Sequence, residues 1–237
     1  MKICLRLLSV SFSVLALSGV VRPAHAQECV GLPGGRGILS VGLEGTDGAT
    51  GSGVAFAYQT PRASVQLQHR ALDDFTVVDD LRTTDVQASV GLPGVRLPVC
   101  VTAGVQRTAY DDTRHESTEW TGQEPGRLIE RHRIGGPYRR QRVPVGVSMG
   151  REFRVGSRVS LVPFIAPAVV FERETYRPET GPAQTRSAWG LGASGGVAAS
   201  LDWFVLRASL SHTATHEYAL SSKHNHPTIA LHAGVRF

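Results

Sequence analysis

Long hydrophobic runs and helical periodicity are both scarce in this chain of 237 residues. One long apolar run occupies residues 7–21, and the next candidate, residues 159–171, is short and contains Pro163 and Pro167. Proline disfavours a helix interior, and a membrane-spanning helix needs about 20 apolar residues. The sequence therefore predicts no membrane helix after the N-terminal run. Low-complexity stretches are also absent, which argues against global disorder.

The first 26 residues have the organisation of a secretory signal peptide. Lys2 and Arg6 precede the apolar run, and Ala24-His25-Ala26 forms an A-x-A cleavage site. We expect cleavage near Ala26 and export from the cytoplasm. A retained membrane anchor is the alternative, which the short run and the cleavage site disfavour.

Lysine and cysteine are rare beyond Ala26, where only Lys223, Cys29 and Cys100 occur. Signal removal takes three positive charges from a formal net charge of +5. The sequence pI of about 9.5 is therefore poor evidence for nucleic-acid binding, and we expect no nucleic-acid partner. Export permits a Cys29–Cys100 disulfide, although the sequence alone cannot establish one.

Period-two alternation runs through nearly the whole exported chain. The C-terminal segment is clearest, with one apolar face formed by Ile229, Leu231, Ala233, Val235 and Phe237. Similar alternation recurs in about ten segments of the roughly 9–11 residues that a tilted membrane strand needs.

The predicted connections alternate between short and long. Short ones lie near residues 60–62, 92–98, 154–158 and 202, and longer polar ones span 75–82, 111–140, 177–186 and 216–226. Short periplasmic turns and long extracellular loops are typical of a transmembrane barrel. We predict an all-β, antiparallel up-and-down transmembrane barrel of about ten strands over residues 37–237, after a periplasmic segment at 27–36. Eight strands is the alternative if the first hairpin does not span.

The composition of the two strand faces indicates which one points inward. One face is mostly Gly, Ser, Ala and Gln, which suits a crowded lumen, and the other is Val, Leu, Ala and Phe, which suits lipid. A soluble lipocalin-like barrel would turn its apolar face inward instead. Two aromatic girdles favour the membrane. The periplasmic girdle comprises Tyr58, Phe153, Trp203, Phe204 and Phe237, and the outer one Tyr110, Phe171, Tyr176, Trp189 and Tyr218.

Residues 37–237 resemble the bacterial outer-membrane β-barrel family, in particular its small OmpA-type barrels. The terminal Phe237 with Leu231, Ala233 and Val235 matches the family's assembly signal, although an aromatic residue often stands where Val235 does. The resemblance implies an outer-membrane location and a monomer. It also implies four partners: the barrel-assembly machinery, periplasmic chaperones, outer-membrane lipid and lipopolysaccharide. No shared catalytic residues are carried over, and we expect neither enzymatic activity nor a cofactor.

Two candidate sites would lie inside or below the barrel. Cys29 and Cys100 both fall on the periplasmic side, where a disulfide would tie the N-terminal segment into the barrel mouth. The predicted lumen charges are Glu44, Arg70, Glu172, Glu174, Arg207 and Arg236. They would line a pore or form a packed ion-pair network; barrels of this size are usually filled by side chains, which favours the network.

The last outer loop and its flanks carry several histidines. His212, His216, His224 and His226, together with His232, are weak metal-ligand candidates, because no tight ligand motif is present and solvated loop histidines are commoner. Ser211, His212 and Glu217 invite comparison with outer-membrane lipid A deacylases. The His-x-Ser-Asn pattern of those enzymes is absent, and Ser211 and His212 should face opposite sides.

The predicted loop at residues 111–140, with Trp120 and Tyr138, could bind a ligand or the lipopolysaccharide surface. The sequence thus favours a non-enzymatic envelope protein with a structural role, a surface-interaction role or a narrow solute passage. An outer-membrane enzyme acting on lipid A or phospholipid, and a soluble periplasmic ligand-binding barrel, are the alternatives.

Overall fold

A computed structural model describes residues 22–27, 37–46, 49–60, 62–74, 78–92, 99–110, 115–118, 131–134, 138–177, 181–215 and 227–237. The strands in these ranges are β1 (Arg22–Gln27), β2 (Gly37–Thr46), β3 (Ala49–Gln59), β4 (Ala63–Asp74), β5 (Val78–Gly91), β6 (Val99–Tyr110), β7 (His115–Thr118), β8 (Arg131–Ile134), β9 (Tyr138–Val155), β10 (Val159–Tyr176), β11 (Gln184–Leu201), β12 (Phe204–Thr215) and β13 (Thr228–Arg236). Within the described part of the chain, no helix has the length and apolar character needed to cross a membrane.

Ten of the strands close into an antiparallel barrel. Their order is β9-β10-β11-β12-β13-β2-β3-β4-β5-β6, and β6 pairs back to β9. The last strand pairs with the first barrel strand, and Gly37 and Phe237 exchange two backbone hydrogen bonds of 3.0 Å. Closure leaves no open sheet edge through the barrel wall. The predicted all-β barrel, in its ten-strand form, is confirmed.

The strand faces are oriented as the composition predicts. Outward-facing Val41 and Leu231 are 61% and 55% exposed, whereas inward-facing Glu44 and Ser200 are 7% and 2% exposed. The same alternation along every barrel strand gives an apolar exterior belt around a filled interior. Hydrocarbon side chains on this exterior have no protein layer to cover them, as expected where lipid is the solvent.

The two ends of the barrel differ. At the end carrying Phe237, β9 and β10 are joined by a turn with Gly156 at φ 69°, and β11 and β12 by a turn with Asp202 at φ 50°. Aspartate is one of the few non-glycine residues that enter this left-handed region readily. The tight form of these connections agrees with the prediction, and their periplasmic location stays a prediction.

At the opposite end the strands are longer than predicted. β9, β10 and β11 each contain 18 residues and pair with one another to the end, for example Thr175 with Arg139 and Tyr176 with Gln184. Residues 138–140 were predicted to be loop and instead begin β9. Polarity was misleading here, because a ribbon beyond the membrane has polar residues on both faces. The remaining loop region also contains the β7–β8 hairpin.

Strand β1 lies outside the closed barrel. It pairs with β9 near the end of the barrel that carries Phe237. Arg22 is opposite Arg154 and Gln27 is opposite Arg151, and both pairs lie beyond the point where β6 begins, opposite Met149. The predicted cleavage after Ala26 would remove every residue of β1 except Gln27. Barrel closure does not depend on β1, because β6 and β9 pair directly.

Candidate functional site: the packed lumen

Towards the end of the barrel that carries Phe237, the side chain of Arg207 crosses the lumen. Arg207 on β12 donates from Nη1 to Gln66 Oε1 on β4 at 3.3 Å. The guanidinium also lies 4.7 Å from the centre of the Phe164 ring on β10, a cation–π distance. β13, β2 and β3 separate β12 from β4, so the contact between Arg207 and Gln66 spans the lumen, whereas Phe164 lies on the near wall, two strands from Arg207. We call these three residues the Arg207 bridge.

The space around the Arg207 bridge is nearly filled. A cavity beside the bridge has about 20 Å³ of room, enough for about one water molecule. Small and apolar side chains occupy much of its wall. The lining comprises Ile38, Ser40, Ala55, Ala57, Gln66, Ala198, Val205, Arg207 and His232. The inward face was predicted to be mostly small and polar, so buried Ile38 and Phe164 are apolar interior residues that the sequence did not reveal, whereas buried Val205 lies on the predicted face of Arg207.

The middle of the lumen contains a charge network centred on Glu44. Its carboxylate accepts hydrogen bonds from Arg70 Nη1 at 2.6 Å and Gln68 Nε2 at 2.8 Å. His232 Nε2 lies 3.8 Å from the same carboxylate, and Arg70 Nη2 lies 3.9 Å from Asp85 Oδ2. The Glu44 and Arg70 side chains are only 6% and 14% exposed. Both charges are therefore compensated inside the barrel, as buried charges must be.

Glycine at position 42 makes room for this network. A Cβ atom there would overlap the His232 ring, which packs directly against the Gly42 backbone. Any larger residue would move His232 away from Glu44. The small residues on the inward face are therefore matched to particular large neighbours.

A second charge network lies towards the outer end, on the long strands. Arg142 Nε on β9 donates to Glu172 Oε2 on β10, and Tyr138 Oη donates to Glu174 Oε1 at 2.6 Å. Glu172 and Glu174 are 3% and 1% exposed. The acidic residues of β10 are thus held by side chains of β9, their direct neighbour.

Paired hydroxyl groups join neighbouring strands elsewhere on the inner wall. Buried Oγ atoms lie 2.5 Å apart in Ser64–Ser89, 3.1 Å in Thr83–Thr108 and 2.7 Å in Ser160–Ser200. Each pair satisfies two polar groups that would otherwise be costly to bury.

The predicted lumen charges all lie on the inward side of their strands, with Arg236 half-buried near the periplasmic end. Among the contacts of the described residues, Glu44–Arg70 joins two of the six. Glu172 contacts Arg142, Glu174 contacts Tyr138, and Arg207 contacts Gln66 and Phe164; none of these partners was predicted as a lumen charge. Gln68, Asp85 and His232 add to the Glu44–Arg70 pair.

Two aromatic and histidine assignments need correction. Tyr176 was placed in the outer girdle, but it is 6% exposed and its hydroxyl donates to Gln184 Oε1 at 2.6 Å. His232 was grouped with the loop histidines, but it lies in the lumen against Glu44. Tyr176 near the outer end and His232 in the middle of β13 face inward because alternate residues of a strand point to opposite faces.

The remaining predicted residues are placed as follows. His212 faces the exterior and Ser211 the lumen, on opposite sides of β12. Within the described ranges, no three His, Cys, Asp or Glu residues are grouped as metal ligands would be. Cys100 is fully buried on the inner wall. Cys29, Trp120, His216, Glu217, Tyr218, His224 and His226 lie outside the described residues, and the side chain of Tyr110 is not described.

The assembly-signal residues lie on the exterior of β13 and just after it. Leu231, Val235 and Phe237 are 55%, 38% and 73% exposed, and Ala233 is half-buried between them. A closed even-stranded barrel with this apolar exterior has the geometry of membrane-spanning barrels. The chain is a closed ten-stranded antiparallel β-barrel with an apolar exterior.

Comparison with known proteins gives the following. No family model and no curated protein matches the chain. Among solved structures, it is similar to the N-terminal β-barrel domain of Pseudomonas aeruginosa OprF (12% identity, TM-score 0.40, covering 86% of this chain and 100% of that one). It is also similar to the translocator domain of the autotransporter NalP from Neisseria meningitidis (13%, 0.40, 88% and 91%) and to Ail, the attachment invasion locus protein of Yersinia pestis (15%, 0.34, 86% and 100%). These scores are low, and the assignment of the fold rests on the strand geometry.

Proposed function

We propose that this chain is a non-conducting barrel of the bacterial outer membrane, with a structural or surface-interaction role at its outer end. The observation that carries the proposal is the Arg207 bridge, which spans the lumen beside a cavity with room for about one water. A solute path would need that layer to open. The lumen is therefore better suited to stabilising the barrel than to transport.

The charge distribution supports the same proposal. A selective pore usually presents rings of charge to the passing solute. Here Glu44 and Glu172 are held by Arg70 and Arg142, and their side chains are 6% and 1% exposed. Disrupting either pair to admit a solute would leave a buried charge uncompensated, which is strongly unfavourable.

Planar-bilayer conductance tests the proposal. The purified chain should give no steady channels, whereas the Phe164→Ala, Arg207→Ala double variant removes two members of the Arg207 bridge and should give measurable conductance. Leu206→Ala, which changes the outward-facing neighbour of Arg207, is the matched control and should stay silent. Steady ohmic conductance of the unmodified chain would instead support a narrow solute passage.

The enzyme alternative has less support. A nucleophilic serine needs a base within hydrogen-bond reach, and Ser211 and His212 lie on opposite faces of β12. Expression of the chain should therefore leave the mass of lipid A and phospholipid unchanged. A mass loss equal to one acyl chain would contradict the non-enzymatic role.

We also propose a cleaved signal peptide and a Cys29–Cys100 disulfide. Cys100 is fully buried on the inner wall, and in the exported chain Cys29 is the other cysteine. The backbone of β1 supports the pairing, because it ends at Gln27 beside Arg151, close to where β9 pairs with Cys100 through Ser148. Mass spectrometry of the mature chain should find Gln27 as its first residue and no alkylatable thiol without reductant. Two alkylatable thiols would contradict the disulfide.

A further inference from the structure

Four arginines project from the exterior near the outer end of the barrel. They are Arg82 on β5, Arg107 on β6, Arg139 on β9 and Arg173 on β10, and all are exposed. Together with exposed Gln141 they form what we call the arginine surface. These side chains face away from the lumen, so neither charge network inside the barrel uses them.

Strand register brings these residues together. Gln141 pairs with Arg107 on one side and Arg173 on the other, so these three residues lie in one row across β6, β9 and β10. Arg139 is two residues further out on the strand of Gln141, and Arg82 is opposite Ala109, two residues further out than Arg107. Diagonal neighbours of this kind are about 7–8 Å apart, close enough for two arginine side chains to reach one phosphate.

The arginine surface begins where the apolar belt ends. Two residues towards the membrane from Arg107 and Arg173 are Val105 and Phe171, which are 44% and 55% exposed. Phe171 is in turn paired with Trp189, also 55% exposed. One lipid molecule could therefore place its acyl chains against the belt and its headgroup against the arginines.

The positive charge of this surface is not compensated by the described part of the protein. Among the described carboxylates, none forms an ion pair with Arg82, Arg107, Arg139 or Arg173. Glu172 and Glu174 lie on the same strand as Arg173 but face the lumen, where Arg142 and Tyr138 hold them. An anionic partner from outside would meet guanidinium donors that no described carboxylate occupies.

We infer that the arginine surface binds the phosphate groups of a phosphorylated lipid in the outer leaflet. Guanidinium groups bind phosphate through paired, charge-assisted hydrogen bonds, and arginine is the side chain best suited to that geometry. The inference rests on the proposed function only in taking this end of the barrel as the outer one. It names the surface partner that the proposed role leaves open.

The test compares two triple variants with the same loss of charge. Arg107→Gln, Arg139→Gln, Arg173→Gln removes the centre of the arginine surface. Arg62→Gln, Arg151→Gln, Arg158→Gln removes three exposed arginines at the periplasmic end. Binding of bisphosphorylated lipid A to each folded barrel in detergent is measured by native mass spectrometry. Loss of about one basic contact per substitution should weaken binding by about 10- to 100-fold in the first variant, and by less than about threefold in the control.

Three outcomes would overturn the inference. One is an equal loss of binding in both variants, and another is equal binding of dephosphorylated lipid A by the unmodified chain. The third is inorganic phosphate at millimolar concentration displacing the lipid completely, which would indicate a free-phosphate site. Heat-modifiable migration on a gel confirms that each variant is folded; if the first triple variant is not, the three single variants replace it. Conductance of the unmodified chain would refute the closed lumen without affecting this binding result.

Discussion

On the exterior of β2, Leu39, Val41 and Leu43 are 51–66% exposed and share one apolar environment. On the inner face of the same strand, Glu44 contacts Arg70, Gln68 and His232, and Gly42 makes room for the His232 ring. The outer positions need only be apolar, because lipid accommodates many shapes. The inner positions need particular partners on other strands. The loss in free energy of unfolding should therefore depend on depth in the membrane for outward-facing substitutions. For inward-facing substitutions it should be large and should depend on which partner is lost.

The largest effect is expected from Glu44→Ala. Removing one partner of a buried pair leaves Arg70 uncompensated, so the free energy of unfolding should fall by about 3–5 kcal/mol. Denaturant unfolding in lipid vesicles measures it. Leu43→Ala, the outward neighbour, is the matched control and should cost about 1 kcal/mol or less. The Glu44→Ala, Arg70→Ala double variant should lose less than the sum of the two single losses. Additive losses would show that the two side chains are not coupled.

An arginine on the exterior should be costly according to depth. Val41→Arg places a charge near the middle of the apolar belt and should lower the free energy of unfolding by about 2–4 kcal/mol. Val155→Arg changes an exposed residue at the periplasmic end of β9, where the cost should be about 0–1 kcal/mol. The same vesicle unfolding measures both. Equal costs at the two depths would contradict the assignment of the belt to hydrocarbon.

The smallest effect in this series concerns the buried hydroxyl pair of Ser160 and Ser200. Ser160→Ala leaves the Ser200 hydroxyl without its 2.7 Å partner and should cost about 1–3 kcal/mol. The Ser160→Ala, Ser200→Ala double variant removes both polar groups and should be closer to the unmodified chain. If the double variant is less stable than either single one, the hydroxyl pair is not the stabilising contact.

The exterior could be predicted from the sequence because period-two alternation is a local property. It predicted outward Leu231, Val235 and Phe237, the ten strands and the tight turns. The sequence also predicted which residues face inward, as for Arg207 and Glu44. The contacts between inward residues could not be predicted. Arg207 meets Gln66 at a separation of 141 residues, and only strand order and stagger around the barrel bring those two together.

The outer ribbon was mispredicted for a different physical reason. Towards this end of β9–β11 the residues on both faces are polar, so the sequence pattern of Tyr138, Arg139 and Arg140 is typical of a loop, although Tyr138 is buried on the inner face. The same polarity concealed the arginine surface, because Arg107, Arg139 and Arg173 form a row only once the strand register is known.

Residue-by-residue accessibility of nitroxide labels would test the central assignment most directly. Labels are placed on cysteines introduced at Leu39, Leu206 and Leu231, which face outward, and at Ser40 and Ala230, which face inward, with the unmodified chain as the labelling blank. In vesicles, the outward labels should collide with lipid-soluble oxygen far more often than the inward labels, alternating with a period of two. The reverse pattern, with oxygen reaching the inward labels, would contradict a barrel that faces lipid and has a packed lumen.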